Sequence, residues 1–274
     1  MPEKPEVLTV AKSLKPNLLN KKVTECYVYW NNIVAYPIVS DFKDKIIGQT
    51  IHDVITRGKF IVIILDDFCL LVHLRMEGKF FFRKVGDPIE KHEHGEFILN
   101  QEISFRFHDV RKFGKMYLIK KDDVYNVKPL VDLGLEYNDM CLTDDYLFHK
   151  IHHKKLPIKT VLLDQSIIAG IGNIYDDEIL FMSGINPFRQ CCNVSKKECG
   201  EIIHNCNIVL DKAVALGGTT IKSFTSSEGV HGLFQNELLV HGKVGEACPN
   251  CGTTIIKCQI GGRGTYYCPK CQKR

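Results

Sequence analysis

Four cysteines close to the C-terminus constrain this 274-residue chain more than any other feature. They stand as Cys248-x2-Cys251, sixteen residues, then Cys268-x2-Cys271. Two C-x2-C knuckles at this spacing predict a zinc ribbon, with four thiolates arranged as a tetrahedron around one metal ion. No ligand position stays open, so the zinc is expected to be structural. A segment of roughly 36 residues cannot bury much apolar surface, and metal binding supplies its folding free energy. Cys258 lies between the knuckles but belongs to neither.

The other seven cysteines (Cys26, Cys69, Cys141, Cys191, Cys192, Cys199 and Cys206) form no motif beyond one adjacent pair. With no secretory leader, twelve cysteines do not read as a disulfide framework, and these seven read as small apolar residues or incidental thiols. No apolar run reaches the length of a membrane span. The expectation is a soluble, intracellular chain with no membrane association.

Net charge is only +4, but it is unevenly placed. Residues 239–274 hold six basic residues and one acidic residue, while the rest of the chain holds thirty basic and thirty-one acidic. A basic tail suits a phosphate backbone. Within it, GGRGTYY predicts a tight hairpin that carries Arg263 at its tip, where a guanidinium can grip phosphate.

Upstream, PEVLTVAKSLKPNLL has helical apolar spacing over residues 5–18. The segments that follow (KKVTECYVYW, KFIVIILDD, FCLLVHLRM, KFFFRKV, GEFILN, EISFRFHDV, KMYLIKK) are short, rich in Val, Ile, Phe and Tyr, and broken by Asp, Gly and Asn. Many short strands with tight connections predict an antiparallel sandwich or barrel, with Asp66-Asp67 as one hairpin turn. Beyond about residue 130 the pattern turns helical, with DDYLFHKIHHKK and residues 194–214 as helices. The expected class is α+β, in three parts: an N-terminal β-sandwich with a flanking helix (1–130), a helical segment (131–238) and a zinc finger (239–274).

The N-terminus opens MPEKPEV. Aminopeptidases generally remove Met1 before a small residue such as Pro2, which leaves a secondary amine. An α-amino group has a reference pKa of about 8 against about 10.4 for lysine, so roughly a tenth is unprotonated at neutral pH. A secondary amine that attacks C1′ of a nucleoside gives an iminium that cannot be neutralised by N–H loss. That cation acidifies the C2′ proton for elimination. Glu3, one residue on, is suited to carry the proton.

Taken together, MPEKPEV, RGKF, HLRMEGKF, HDVRKFGKM, GIGNIYDDE, SGINP, TSSEGVHGLFQNELLVHGK and the closing ribbon resemble the formamidopyrimidine-DNA glycosylase family almost end to end, in the family's order. The resemblance implies a helix-two-turns-helix segment in the middle part and a β-hairpin zinc finger at the end. It implies a catalytic set of Pro2, Glu3, Lys59 and Arg263, with Glu6 organising the start of the first helix. It implies DNA contacts from His73, Met76, Arg111, Phe113, Lys159 and Asn173. Met76, Arg111 and Phe113 would fill the gap left by an everted base, Asn173 and Arg263 would clamp phosphates, and residues 225–232 would form a lid over the lesion. The implied activity is excision of oxidised purines (8-oxoguanine, formamidopyrimidines) followed by β,δ-elimination, on double-stranded DNA, by a monomer in the cytoplasm. Endonuclease-eight-like action on oxidised pyrimidines and DNA binding without catalysis are the alternatives. Lys4 departs from the small or apolar residue usual in the family and reads as an exposed position with no part in the chemistry.

Overall fold

The computed structural model describes residues 2–219 and 232–273, which fall into two compact units. The first holds the chain to Val131 together with Gly217–Thr219 and Gly232. The second holds Asp132–Leu216 and the chain from Leu233. The lid expected over residues 225–232 lies outside the described residues except for Gly232.

The first unit begins with α1 (Lys4–Leu18), which starts one residue earlier than its periodicity predicts. Then come β1 (Val23–Val28), β2 (Val34–Tyr36), α2 (Val39–Ile46), β3 (Asp53–Arg57), β4 (Phe60–Ile64), β5 (Phe68–His73), β6 (Lys79–Lys84), β7 (Glu93–Leu99), β8 (Ile103–His108) and β9 (Lys115–Lys120). They form two sheets, β1-β7-β8-β6 and β2-β9-β5-β4-β3. All pairings are antiparallel except that of the short edge strand β2, which runs parallel to β9. Asp66-Asp67 does form the β4–β5 turn, closed by Leu65 N–H to Phe68 O at 2.8 Å.

Val7, Val10, Ala11, Leu14 and Leu18, the apolar stripe of α1, are buried in one core with Val54, Ile61, Val72, Phe80, Phe105 and Phe107. Two ties set the direction of α1. Lys4 Nζ donates to Thr56 Oγ1 at 3.0 Å, and Lys15 Nζ pairs with Asp53 at 2.6 Å. The helix therefore runs antiparallel to β3, and its N-terminus lies at the end of β3 that leads into the turn before β4. Lys4 is 6% exposed, which corrects the reading of an idle surface position: its stem is covered where the first helical turn meets β3.

The second unit contains β10 (Leu135–Glu136), α3 (Asp144–Ile151), α4 (Ile158–Leu162), β11 (Ile168–Ala169), α5 (Asn173–Met182), α6 (Lys196–Ala215), β12 (Ile256–Ile260) and β13 (Arg263–Tyr267). Ser195 caps α6, with Glu198 completing a capping box. The α3 pattern runs on through HHKK in sequence, yet the helix stops at Ile151. Tyr175, Ile179, Ile202, Cys206, Val209 and Leu210 share a core. Five of the seven scattered cysteines are buried, while Cys141 and Cys192 are exposed. Burial pushes the Cys26, Cys191 and Cys199 thiols up to about 12, which keeps them protonated and inert. Among the described residues, no helix is long and apolar enough to cross a membrane.

Candidate active site and nucleic-acid interface

In the first unit, strand register brings the expected residues to one end of the sandwich. Arg57 pairs with Phe60, so Gly58 and Lys59 form a two-residue hairpin. Gly58 has φ +53, the positive value that the first central position of such a turn needs. Phe60 pairs with His73, and His73 pairs with Lys115. Across the other sheet, Lys79 pairs with His108. The two connections that cross between the sheets, residues 74–78 and 109–114, therefore leave from this same end. The first carries Met76 and the second carries Arg111 and Phe113. The N-terminus of α1 lies there too, with Pro2 and Glu3.

Glu3 is the N-cap of α1. Its side chain accepts from the Glu6 N–H, and its own N–H donates to Glu6 Oε2 at 2.8 Å. Glu6 Oε1 in turn accepts from Thr219 N–H at 2.8 Å and from Thr219 Oγ1 at 3.2 Å. One buried Glu6 carboxylate thus ties the start of the first helix to Thr219. Gly218 makes this possible, because a Cβ there would sit 2.5 Å from Glu6 Oε1, at φ +79. Pro2, Glu3 and Lys59 are all buried.

His73 is buried against Phe60, whose ring meets it edge-on with centroids 4.8 Å apart. Its Nδ1 accepts from Arg75 N–H at 3.0 Å, which leaves the ring proton on Nε2. Burial, then the Arg75 and Lys59 charges, push its pKa down to about 3. The imidazole is thus a neutral donor at working pH. The unfolded chain takes up this proton near pH 6.5 and the native chain does not, so native stability is lost as pH falls below 6.5. Wild type should lose about 2 kcal/mol more than a His73→Gln variant between pH 7.5 and 5.0, measured by urea unfolding. Equal losses would mean that the imidazole is not held neutral.

Met76 is half-buried, Arg111 exposed and Phe113 half-exposed. The Arg111 guanidinium lies 4.9 Å from the centre of the Phe113 ring. Sequence reasoning missed Asp109 and His92. Asp109 is completely buried and takes hydrogen bonds from the loop that carries Arg111 and Phe113, while its N–H donates to His92 O at 3.0 Å. The HDVRKFG motif contained Asp109, but nothing in the pattern marked it as interior.

In the second unit, Gly172 is the N-cap of α5 and Asn173 the first helical residue. Asn173 Nδ2 donates to Gly264 O at 2.8 Å, which ties the helix start to the zinc hairpin. Gly261 and Gly262, both with positive φ, make the turn, and exposed Arg263 is the first residue after it. Lys159 requires a correction. It is fully buried, with Nζ 2.7 Å from Asp177 Oδ1, 3.6 Å from Asp176 Oδ2 and 3.1 Å from Asn173 O. A desolvated ammonium held by two carboxylates braces α5 from within and does not reach a DNA backbone. Asp177 also meets His241 Nδ1 at 2.6 Å, and Glu178 accepts the backbone N–H groups of Leu239, Val240 and His241 at 2.7–3.0 Å. The acidic run of GIGNIYDDE thus anchors the chain entering the zinc finger.

The Sγ atoms of Cys248, Cys251, Cys268 and Cys271 all lie within 4.8 Å of one another. Cys251–Cys268 is 3.5 Å and Cys248–Cys271 is 3.8 Å. Those separations are too long for disulfides and close to the roughly 3.8 Å edge of a tetrahedral zinc–thiolate site. Cys258 points elsewhere, to Thr265 O at 3.8 Å. The four thiols fit one structural zinc.

A β-sandwich with Pro2 and Glu3 at the end where both sheet-crossing loops leave, a helical segment and a four-cysteine hairpin are the parts of a DNA glycosylase of base excision repair with a zinc finger, and the comparisons with known proteins place the chain in that class. Family models agree: one for the formamidopyrimidine-DNA glycosylase N-terminal domain matches residues 1–116, one for the formamidopyrimidine-DNA glycosylase H2TH domain matches 133–225, and one for the zinc finger found in FPG and IleRS matches 245–274. A formamidopyrimidine-DNA glycosylase of Oceanobacillus iheyensis is 41% identical over 273 residues, covering 99% of this chain and 98% of that one. Among solved structures, wild-type Lactococcus lactis Fpg (MutM) in complex with DNA containing N7-benzyl-Fapy-dG matches with TM-score 0.92 at 34% identity, over 100% of both chains. MutM in complex with DNA containing carbocyclic 8-oxo-G matches with TM-score 0.91, also at 34% identity and over 100% of both chains. The chain belongs to the formamidopyrimidine-DNA glycosylase family.

Proposed function

We propose that this chain excises oxidised purines, 8-oxoguanine and formamidopyrimidines, from duplex DNA and then cuts the abasic strand, working as a monomer in the cytoplasm. One observation carries the reading. Strand register and the α1 ties gather Pro2, Glu3, Lys59, His73 and both wedge loops at one end of the first unit.

In this mechanism the Pro2 nitrogen attacks C1′, the glycosidic C–N bond breaks, and its electron pair leaves with the base. Lys59 assists that departure, and Glu3 delivers the proton that opens the sugar ring. The resulting iminium acidifies the C2′ proton, which the Glu3 carboxylate, left ionised by that delivery, takes up as the C2′–H electron pair moves into the sugar chain. Elimination then breaks the C3′–O bond, and a second elimination breaks C5′–O. Met76 and Phe113 occupy the vacated stack while Arg111 meets the orphaned base. Asn173 and Arg263 hold phosphates. Zinc supplies no chemistry here and fixes the hairpin that carries Arg263.

The test is excision from 8-oxoguanine opposite cytosine compared with thymine glycol opposite adenine. The purine lesion should be removed at least about tenfold faster. A preference for thymine glycol would instead establish the oxidised-pyrimidine reading. Light scattering of the free protein should give the mass of one chain.

A further inference from the structure

We infer that Asp109 is a positioning residue for base extrusion: its buried carboxylate sets the shape of the loop that presents Arg111 and Phe113, and Lys112 packed on Trp30 straps that loop from outside. The inference rests on the wedge role proposed above for Arg111 and Phe113.

Every polar group of Asp109 is engaged. Oδ1 accepts from Arg111 N–H at 3.0 Å, and Oδ2 accepts from Phe113 N–H at 2.8 Å and Gly114 N–H at 2.7 Å. Its carbonyl takes His94 Nε2 at 2.9 Å and Lys112 N–H at 3.3 Å. Both carboxylate oxygens thus serve backbone donors of the 109–114 loop. An amide at this position would turn an NH2 toward at least one of those donors.

Other features fix the same shape. Lys112 adopts φ +57, and a Cβ on Gly114 would meet the Phe107 ring at 2.5 Å and Asp109 Oδ2 at 3.2 Å. On the outer side, Lys112 Nζ lies 4.1 Å from the centre of the Trp30 ring, within cation–π range. Trp30 is the only tryptophan in the chain. The interior carboxylate of Asp109 and the Lys112–Trp30 strap hold the loop from its two sides. A loop ordered in advance has no conformational freedom left to lose when the base swings out.

The wedge matters most where an intact base must leave the stack, and less where the base is already gone. Asp109→Asn should therefore slow excision from an 8-oxoguanine:cytosine duplex at least about 30-fold, while cleavage of a preformed abasic site changes by less than about threefold. Emission from Trp30 in the DNA-free protein should shift toward that of Lys112→Ala, which removes the strap. Lys112→Ala, an exposed change, should slow excision by about three- to tenfold with abasic cleavage unchanged, and it decides the matter if Asp109→Asn does not fold. Phe113→Ala is the control. If it fails to separate the two activities, the wedge reading itself is wrong. If it separates them but Asp109→Asn, or Lys112→Ala where the former is unfolded, lowers both equally or neither, the positioning role of Asp109 is overturned.

Discussion

Pro2→Thr protein will still bind damaged duplex but will give borohydride-stable crosslink at a small fraction of the wild-type yield, and strand cleavage will fall by at least about 10³. That fall corresponds to roughly 4 kcal/mol of lost transition-state stabilisation. The reason is chemical. Only an amine that gives a cationic imine with C1′ supplies both base displacement and the acidity at C2′ that elimination requires. Threonine is small enough for Met1 to be removed, but its primary amine gives an imine that can lose its N–H proton and with it the electron sink. The fold should tolerate the exchange. The clamp that sets this end of the chain uses the N–H of Glu3 on Glu6 and the N–H of Thr219 on the same carboxylate, and neither involves the ring of Pro2. Gel analysis after borohydride reduction on an abasic or 8-oxoguanine duplex reads the result directly. A crosslink that survives at wild-type yield, carried by another amine, would remove Pro2 from the mechanism.

The legible part of this molecule is the part written in local patterns. The two C-x2-C knuckles located the metal site because thiolate chemistry needs little besides spacing. The α1 stripe located its buried face, and turn residues such as Asp66-Asp67 marked strand ends. The partnering of distant strands was not legible. Nothing local says that β1 lies beside β7, or that β2 joins its sheet in parallel, because pairing depends on crossovers whose length and direction leave no periodic trace.

Charged residues were misread for a related reason. Lys159 was expected to contact DNA and Lys4 to be exposed, because burial of an ammonium depends on acceptors that the fold brings in from elsewhere. Asp177 is 18 positions from Lys159, and Thr56 is 52 positions from Lys4. Asp109 is the converse case: nothing in HDVRKFG marks an aspartate as interior, although its carboxylate accepts from the backbone of both Arg111 and Phe113. Family resemblance pointed to the residues proposed to face a substrate more readily than to those that hold them in place.

Zinc removal is the second large effect. Cys268→Ser, at a completely buried ligand position, should leave the protein with far less than one zinc per chain and weaken binding to lesion-containing duplex at least about 100-fold. The two strands β12 and β13 hold little core of their own. Ile255, Cys248 and Cys268 cluster with Val240 and with Phe181 of α5, and a metal bound by four thiolates contributes on the order of 10 kcal/mol to such a module. Without it Arg263 loses the turn that presents it, and Asn173 loses its Gly264 carbonyl partner, so two proposed phosphate contacts fail together. The salt dependence should show this: the slope of log binding constant against log salt should become shallower, as expected when fewer phosphates are neutralised. Borohydride trapping at saturating DNA should persist in the variant, because Pro2, Glu3 and Lys59 belong to a different unit with its own core. Zinc content near wild type, or unchanged affinity and salt slope in a zinc-free protein, would show that the four-cysteine hairpin does not set the grip on DNA.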